Sequence, residues 1–193
     1  MTNSFDRLRP HLCTEKKIRV ERNRPSNQLL NGYLMGLSDT LGLMHCFDDF
    51  EPDGYTVFRV CDVTNIRSSA YERHWDRMLA EEGLLDGLRM VFDIRLEDMR
   101  TAIQSIDEQF QTMIVECEDE EDDIQDFYIG QLVSVNESEI AFAHFDGLGC
   151  WEEGLATIMP DEITLIQFDT PYIQIFSKYL SGAPSVSPRD IDA

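Results

Sequence analysis

Runs of four to eight residues rich in Val, Ile, Leu, Phe and Tyr recur along the chain, separated by short polar turns. Such runs, bounded by turn residues, read as β-strands. The pattern predicts strands at 17–22, 30–38, 41–48, 54–60 and 63–67, and again at 112–118, 127–135, 139–145, 154–159 and 162–168. Ser38-Asp39-Thr40 and Asn136-Glu137-Ser138 supply turn chemistry at matching points. Two stretches change period. Leu96, Met99, Ile103, Ile106 and Phe110 are spaced three or four apart, with Arg100, Gln104, Asp107 and Glu108 between them, which predicts an amphipathic helix before the second strand set. Tyr71, Trp75, Met78 and Leu79 form an apolar face after the first set, opposite Glu72, Arg73, Arg77 and Glu81. Thr170-Pro171 reads as the cap and first residue of a short helix in the corresponding position after the second set.

The two sets also align with each other. Gly32–Asp48 (GYLMGLSDTLGLMHCFD) matches Gly130–Asp146 (GQLVSVNESEIAFAHFD) without gaps at an offset of 98 residues. Gly54–Ile66 matches Gly154–Ile166 at an offset of 100, so a two-residue insertion lies in the intervening loop. Residues 70–79 match 171–180, and Ile18-Arg-Val-Glu21 resembles Met113-Ile-Val-Glu116. Agreement of glycines, Phe-Asp ends and trailing aromatic helix favours internal duplication over the general likeness of any two β-meanders. The expected fold is mainly β with flanking helices: two tandem five-stranded small barrels, each closed to remove its exposed edges. The expected divisions are an N-terminal segment at 1–14, a first barrel with trailing helix at 15–82, a connector and amphipathic helix at 83–110, a second, acidic barrel at 111–181, and a flexible tail at 182–193.

A helix followed by five bent strands, with Gly opening the second strand, resembles the Sm-like and SH3-like small barrels. The tandem arrangement resembles a bacterial family of such proteins over roughly residues 15–181. The segments that carry the likeness are Asp-Gly-Tyr before the fourth strand, Glu-Glu-Gly-Leu-Leu (81–85), Phe-Asp-Ile (92–94), Ile-Val-Glu-Cys-Glu (114–118), Asp-Glu-Ile-Thr (161–164) and Phe-Ser-Lys-Tyr-Leu (176–180). The resemblance implies a fold and no particular activity. The Arg-Gly loop of Sm-like RNA binders is not carried over: Asn65-Ile66-Arg67-Ser68 lacks the Gly, and Leu165-Ile166-Gln167-Phe168 lacks both residues.

Charge changes the picture. The 193 residues carry a formal charge of −21, which disfavours sequence-independent binding to nucleic acid, where Lys and Arg must meet phosphates. Residues 101–193 hold 20 acidic and 2 basic groups, against 17 and 14 in residues 1–100. Seven of the basic groups lie in the first 24 residues, so this stretch is expected to lie on the acidic half of the same or another chain. No apolar h-region follows it and no run is long enough to span a bilayer, so a soluble cytoplasmic protein is expected. Five cysteines, odd in number and without C-x-x-C spacing, read as buried free thiols.

Candidate chemistry is sparse. The run from Glu116 to Asp126 holds eight carboxylates between two predicted strands. It has no organising glycine or ligand spacing for a metal, and reads as a solvated loop that is also able to dock a basic protein. Asp49-Phe-Glu51-Pro-Asp53-Gly54 begins like a calcium loop, but Val60 stands where the twelfth-position Glu belongs, so an acidic hairpin is expected. His45-Cys46 and His144 lie on aligned strands, where half-buried core residues outweigh a mixed metal site. No nucleophile elbow, phosphate loop or H-E-x-x-H motif is present. Trp75, with Tyr71, Trp151, Tyr172 and Phe176, is either an exposed aromatic anchor or a plug for a barrel end. The reading that follows is a non-enzymatic protein-interaction module, possible as a homo-oligomer, in the form of an acidic inhibitor or immunity-type partner of a basic protein. It needs no cofactor, metal or catalytic residue. Its contact residues are Glu118, Asp119, Glu120, Glu121, Asp122, Asp123, Asp126 and Trp75. A degenerate Sm-like RNA-binding module and a metal-dependent enzyme are the alternatives.

Overall fold

A computed structural model describes residues 3–24, 28–85, 92–118 and 125–184. The alternating runs become strands β1 (Ile18–Arg22), β2 (Leu30–Leu37), β3 (Leu41–Asp48), β4 (Glu51–Arg59) and β5 (Val63–Arg67), then β6 (Met113–Glu118), β7 (Gln125–Val135), β8 (Ile140–Phe145), β9 (Trp151–Ile158) and β10 (Leu165–Phe168). The helices are α1 (Ser4–Leu8), α2 (Ala70–Glu81), α3 (Met99–Asp107) and α4 (Pro171–Phe176). The chain is therefore mainly β with a few short helices.

All ten strands belong to one antiparallel sheet, in the order β5-β1-β2-β3-β4-β10-β6-β7-β8-β9. This differs from the expected pair of separately closed barrels. Instead of returning to its own set, β4 pairs with β10, through Tyr55–Phe168, Thr56–Gln167, Val57–Ile166 and Phe58–Leu165. The inner edge of each five-stranded set is covered by the other set, so neither needs to close on itself to hide that edge.

Strand order within each set is the same, fifth-first-second-third-fourth. Gly32 faces Cys46 and Gly130 faces His144, and a bulge follows at Leu34/Gly36 and again at Leu132/Ser134. A second pair of bulges interrupts β3–β4 after His45 and β8–β9 after Ala143. The two glycines are required by close approach. A Cβ at Gly32 would lie 2.0 Å from the His45 carbonyl oxygen, and one at Gly130 1.9 Å from that of Ala143.

The main core crosses the two sets. Leu41, Leu43, Tyr55 and Val57 pack with Met113, Val115, Phe142, Ile166 and Phe168, and Ile103 and Ile106 of α3 cover them. Side chains at i, i+3 and i+4 share a helix face, so the spacing that predicts α3 also predicts which residues it buries. Asp98 caps α3 by accepting the Thr101 N–H at 2.7 Å, which starts the helix later than Leu96. A second core holds Leu8, Ile18, Val20, Leu34, Met44, Phe58, Val60 and Val63, with Leu165 from the other set. Leu8 comes from α1, a helix that the alternation pattern does not predict; five residues are too few to show a period.

α2 begins in a reciprocal cap. The Ser69 hydroxyl accepts from Tyr71 N–H, while Glu72 takes both the Ser69 N–H at 2.7 Å and its hydroxyl at 2.6 Å. Burial opposes ionisation of Glu72, but those two bonds and the Arg67 guanidinium at 2.6 Å outweigh it and lower the carboxyl to about 2. A lowered folded-state value means that this stability is present above the ordinary carboxylate range and is lost as pH falls through about 2. Ser69→Ala is expected to cost about 1 kcal/mol and to flatten the acid limb of the stability profile. Chemical denaturation at neutral and acidic pH reads both effects, and an unchanged midpoint would remove the cap from the account.

Candidate functional site

Three arginines of the first set reach across to the second. Arg22, at the end of β1, makes a two-point contact with Glu118, at the end of β6, at 2.8 and 3.3 Å. Both side chains are sealed from solvent, with exposures of 1% and 0%. The Thr164 hydroxyl donates to the same carboxylate at 2.7 Å. Arg24 donates to the Glu118 carbonyl at 3.2 Å and pairs with Asp62 at 2.6 and 2.9 Å. Arg59 donates to the carbonyls of Pro160, Asp161 and Ile163 at 2.6–3.0 Å. The basic N-terminal stretch thus lies on the acidic half of its own chain through Arg22 and Arg24.

The arginines pin the backbone beneath two adjacent hollows whose rims are acidic. One, of about 440 Å³, is lined by Cys117, Asp126, Tyr128, Thr157, Asp161 and Glu162, with Arg24 and Glu118 at its base. The other, of about 400 Å³, lies among Asp39, Glu97, Asp98, Glu137 and Asp161, with Arg59 and Arg100. Asp161 borders both, so the hollows form one face built from both strand sets. Asp39, Glu97, Asp98, Asp126, Glu137, Asp161 and Glu162 are all exposed on it. Asp39 and Glu137 come from the turn residues that open matching hairpins. Asp161 and Glu162 were legible only as part of a recurring segment, because their neighbours across the hollow are distant in sequence.

The residues proposed from sequence as contacts divide into three groups. Glu118 is turned inward and paired, so it does not face a partner. Asp126 is exposed on the first hollow. Asp119, Glu120, Glu121, Asp122 and Asp123 lie outside the described residues. Trp75 is half-buried, stacked on Phe50 at 4.5 Å on the first set, with the Lys17 ammonium 4.3 Å from its ring. Burial lowers the pKa of Lys17. Trp151 and Phe176 pack on Phe145, while Tyr71 and Tyr179 are exposed. These aromatics cover their own strand sets rather than sealing one set on the other.

The remaining candidates occupy ordinary packing positions. Asp48–Glu51 closes the β3–β4 hairpin, so the calcium-like segment is a turn. His45 is buried against Tyr55 at 4.4 Å, and burial lowers its pKa. Cys46 donates to the Thr56 hydroxyl, and burial pushes its thiol up to about 12. His144 meets Tyr128 edge to face. Cys117 borders the first hollow, but burial, then Glu162 and Asp126, push its thiol up to about 12, which keeps it protonated and a poor nucleophile. Among the described residues no three His, Cys, Asp or Glu side chains converge as a metal site, and no helix is long and apolar enough to cross a membrane.

No protein-family model, curated protein or solved structure matches the chain.

Proposed function

We propose that this chain is a non-enzymatic protein-interaction module, made of two related five-stranded small-barrel units, which presents an acidic face to a basic protein and inhibits or shields it. The relation between the units is supported by their shared strand order and by matching bulges and glycine contacts. The function rests on one observation: seven exposed carboxylates rim two joined hollows, while the arginines beneath, Arg24 and Arg59, already bond to the chain itself. Such a face has an attractive field for a cationic surface and speeds its encounter. The RNA-binding alternative loses support from the same contacts, because Arg22 and Arg24 are spent on Glu118 and Asp62.

The test is capture from native lysate on the immobilised chain, at low and moderate salt, beside the variant Asp126→Asn/Asp161→Asn/Glu162→Gln. The expected result is a basic protein whose retention falls steeply with salt and on the order of tenfold in the variant. No capture at either salt, or capture that the variant leaves unchanged, would overturn the reading. Tight RNA retention by the purified chain would favour the alternative.

A further inference from the structure

The sheet begins at β5 and ends at β9, and both outer edges are unpaired with any described strand. The same two kinds of edge are already joined once inside the chain. In the first set Leu43 faces Val57, and in the second Ala141 faces Thr157. With the β2–β3 and β7–β8 registers, this makes β9 the counterpart of β4. Val20 faces Ile66 in the first set and Val115 faces Ile166 in the second, which makes β5 the counterpart of β10. The β4–β10 joint therefore has an unused copy, β9 with β5, and no chain can close that copy on itself while the two strands stand at opposite ends of the sheet.

We infer that copies of this chain assemble head to tail, with β9 of one copy pairing antiparallel with β5 of the next as β4 pairs with β10. The internal register sets the external one: Ile158 opposite Asn65, Thr157 opposite Ile66, Ala156 opposite Arg67 and Leu155 opposite Ser68. This inference concerns the sheet edges and goes beyond the acidic docking face.

Three features of the edges fit a second copy. First, β4 residues Tyr55–Phe58 are buried against β10, whereas Leu155 on β9 is 38% exposed and Thr157 is exposed. β9 carries no Pro or Lys, the residues that blunt an edge meant to stay single. Second, β5 is open where the register needs it. α1 contacts the strand only near its start, through Ser4 to the Val63 carbonyl and Arg7 to that of Thr64, before the paired positions 65–68. Third, charge is complementary. β9 opens with Glu152 and Glu153, while Arg67 and, on the neighbouring β1, Arg19 stand at the other edge. Continuing the register brings Glu153 opposite the first turn of α2, whose dipole favours an anion. An interface of this kind is heterologous, so it closes into a ring if the rotation per copy allows and otherwise extends.

Two variants, each spoiling one edge, test the inference on the full chain. Ala156→Arg sets a guanidinium opposite Arg67, and Asn65→Lys introduces an edge-blocking charge on β5. Light scattering coupled to size exclusion is expected to give the wild type a multiple of the 22.3 kDa chain mass. Each variant alone is expected at the single-chain mass, with its thermal unfolding unchanged. Mixed, the two variants retain one intact edge of each kind and are expected to form 1:1 pairs of twice the chain mass. A monomeric wild type across the micromolar range overturns the inference. An oligomeric wild type whose mass neither variant changes, or variants that stay monomeric when mixed, also overturns it, because association would then use another face.

Discussion

Arg22→Met is expected to destabilise the protein by about 3–5 kcal/mol, because it leaves the Glu118 carboxylate buried without its counter-charge. The side chains are 1% and 0% exposed, and the Thr164 hydroxyl alone remains to solvate the carboxylate by a side-chain bond printed in the structure. Glu118→Leu is expected to fall in the same range from the opposite side, stranding a guanidinium. The double variant Arg22→Met/Glu118→Leu is expected to recover most of the loss, since two apolar groups of similar size need neither charge nor solvent. Urea unfolding of the two single variants and the double variant measures the coupling. A single-variant cost below about 1 kcal/mol would mean that the pair behaves as a solvated surface contact, and would remove it as the clasp between β1 and β6.

Phe168→Ala is expected to cost about 3–5 kcal/mol through the cavity it leaves. Phe168 is fully buried at the end of β10, stacked on Tyr55 at 5.4 Å and in contact with Phe92 and Phe110 at 5.8 and 4.9 Å. It touches the first strand set, the second set and the segments flanking α3 at once. Calorimetry is therefore expected to show one transition, lowered by roughly 10 °C for a chain of this size, with both sets unfolding together. Two separated transitions, of which only one moves, would show instead that the shared core does not couple the sets.

The sequence by itself determined most of the local structure. Strands 18–22, 41–48 and 63–67 follow their apolar runs closely, because the alternation that buries one face of a strand is written in consecutive residues. The turn at Asn136, whose carboxamide accepts the Ser138 and Glu139 N–H groups, is likewise local chemistry. So are the Thr170 cap and Pro171 at the start of α4. Even the acidic character of the candidate face could be read from composition, although Asp39, Glu97, Asp126 and Asp161 share it only after folding. Glu118 shows where such reading stops. It stands at the edge of a run of carboxylates and reads as solvated, yet Arg22, 96 residues away, supplies the charge that lets it be buried. The β4–β10 joint is of the same kind. Val57 and Ile166 are apolar β-formers whether each set closes on itself or pairs with the other. Which partner a strand edge takes is decided by the whole sheet, because backbone N–H and C=O groups are the same at every residue and carry no local address.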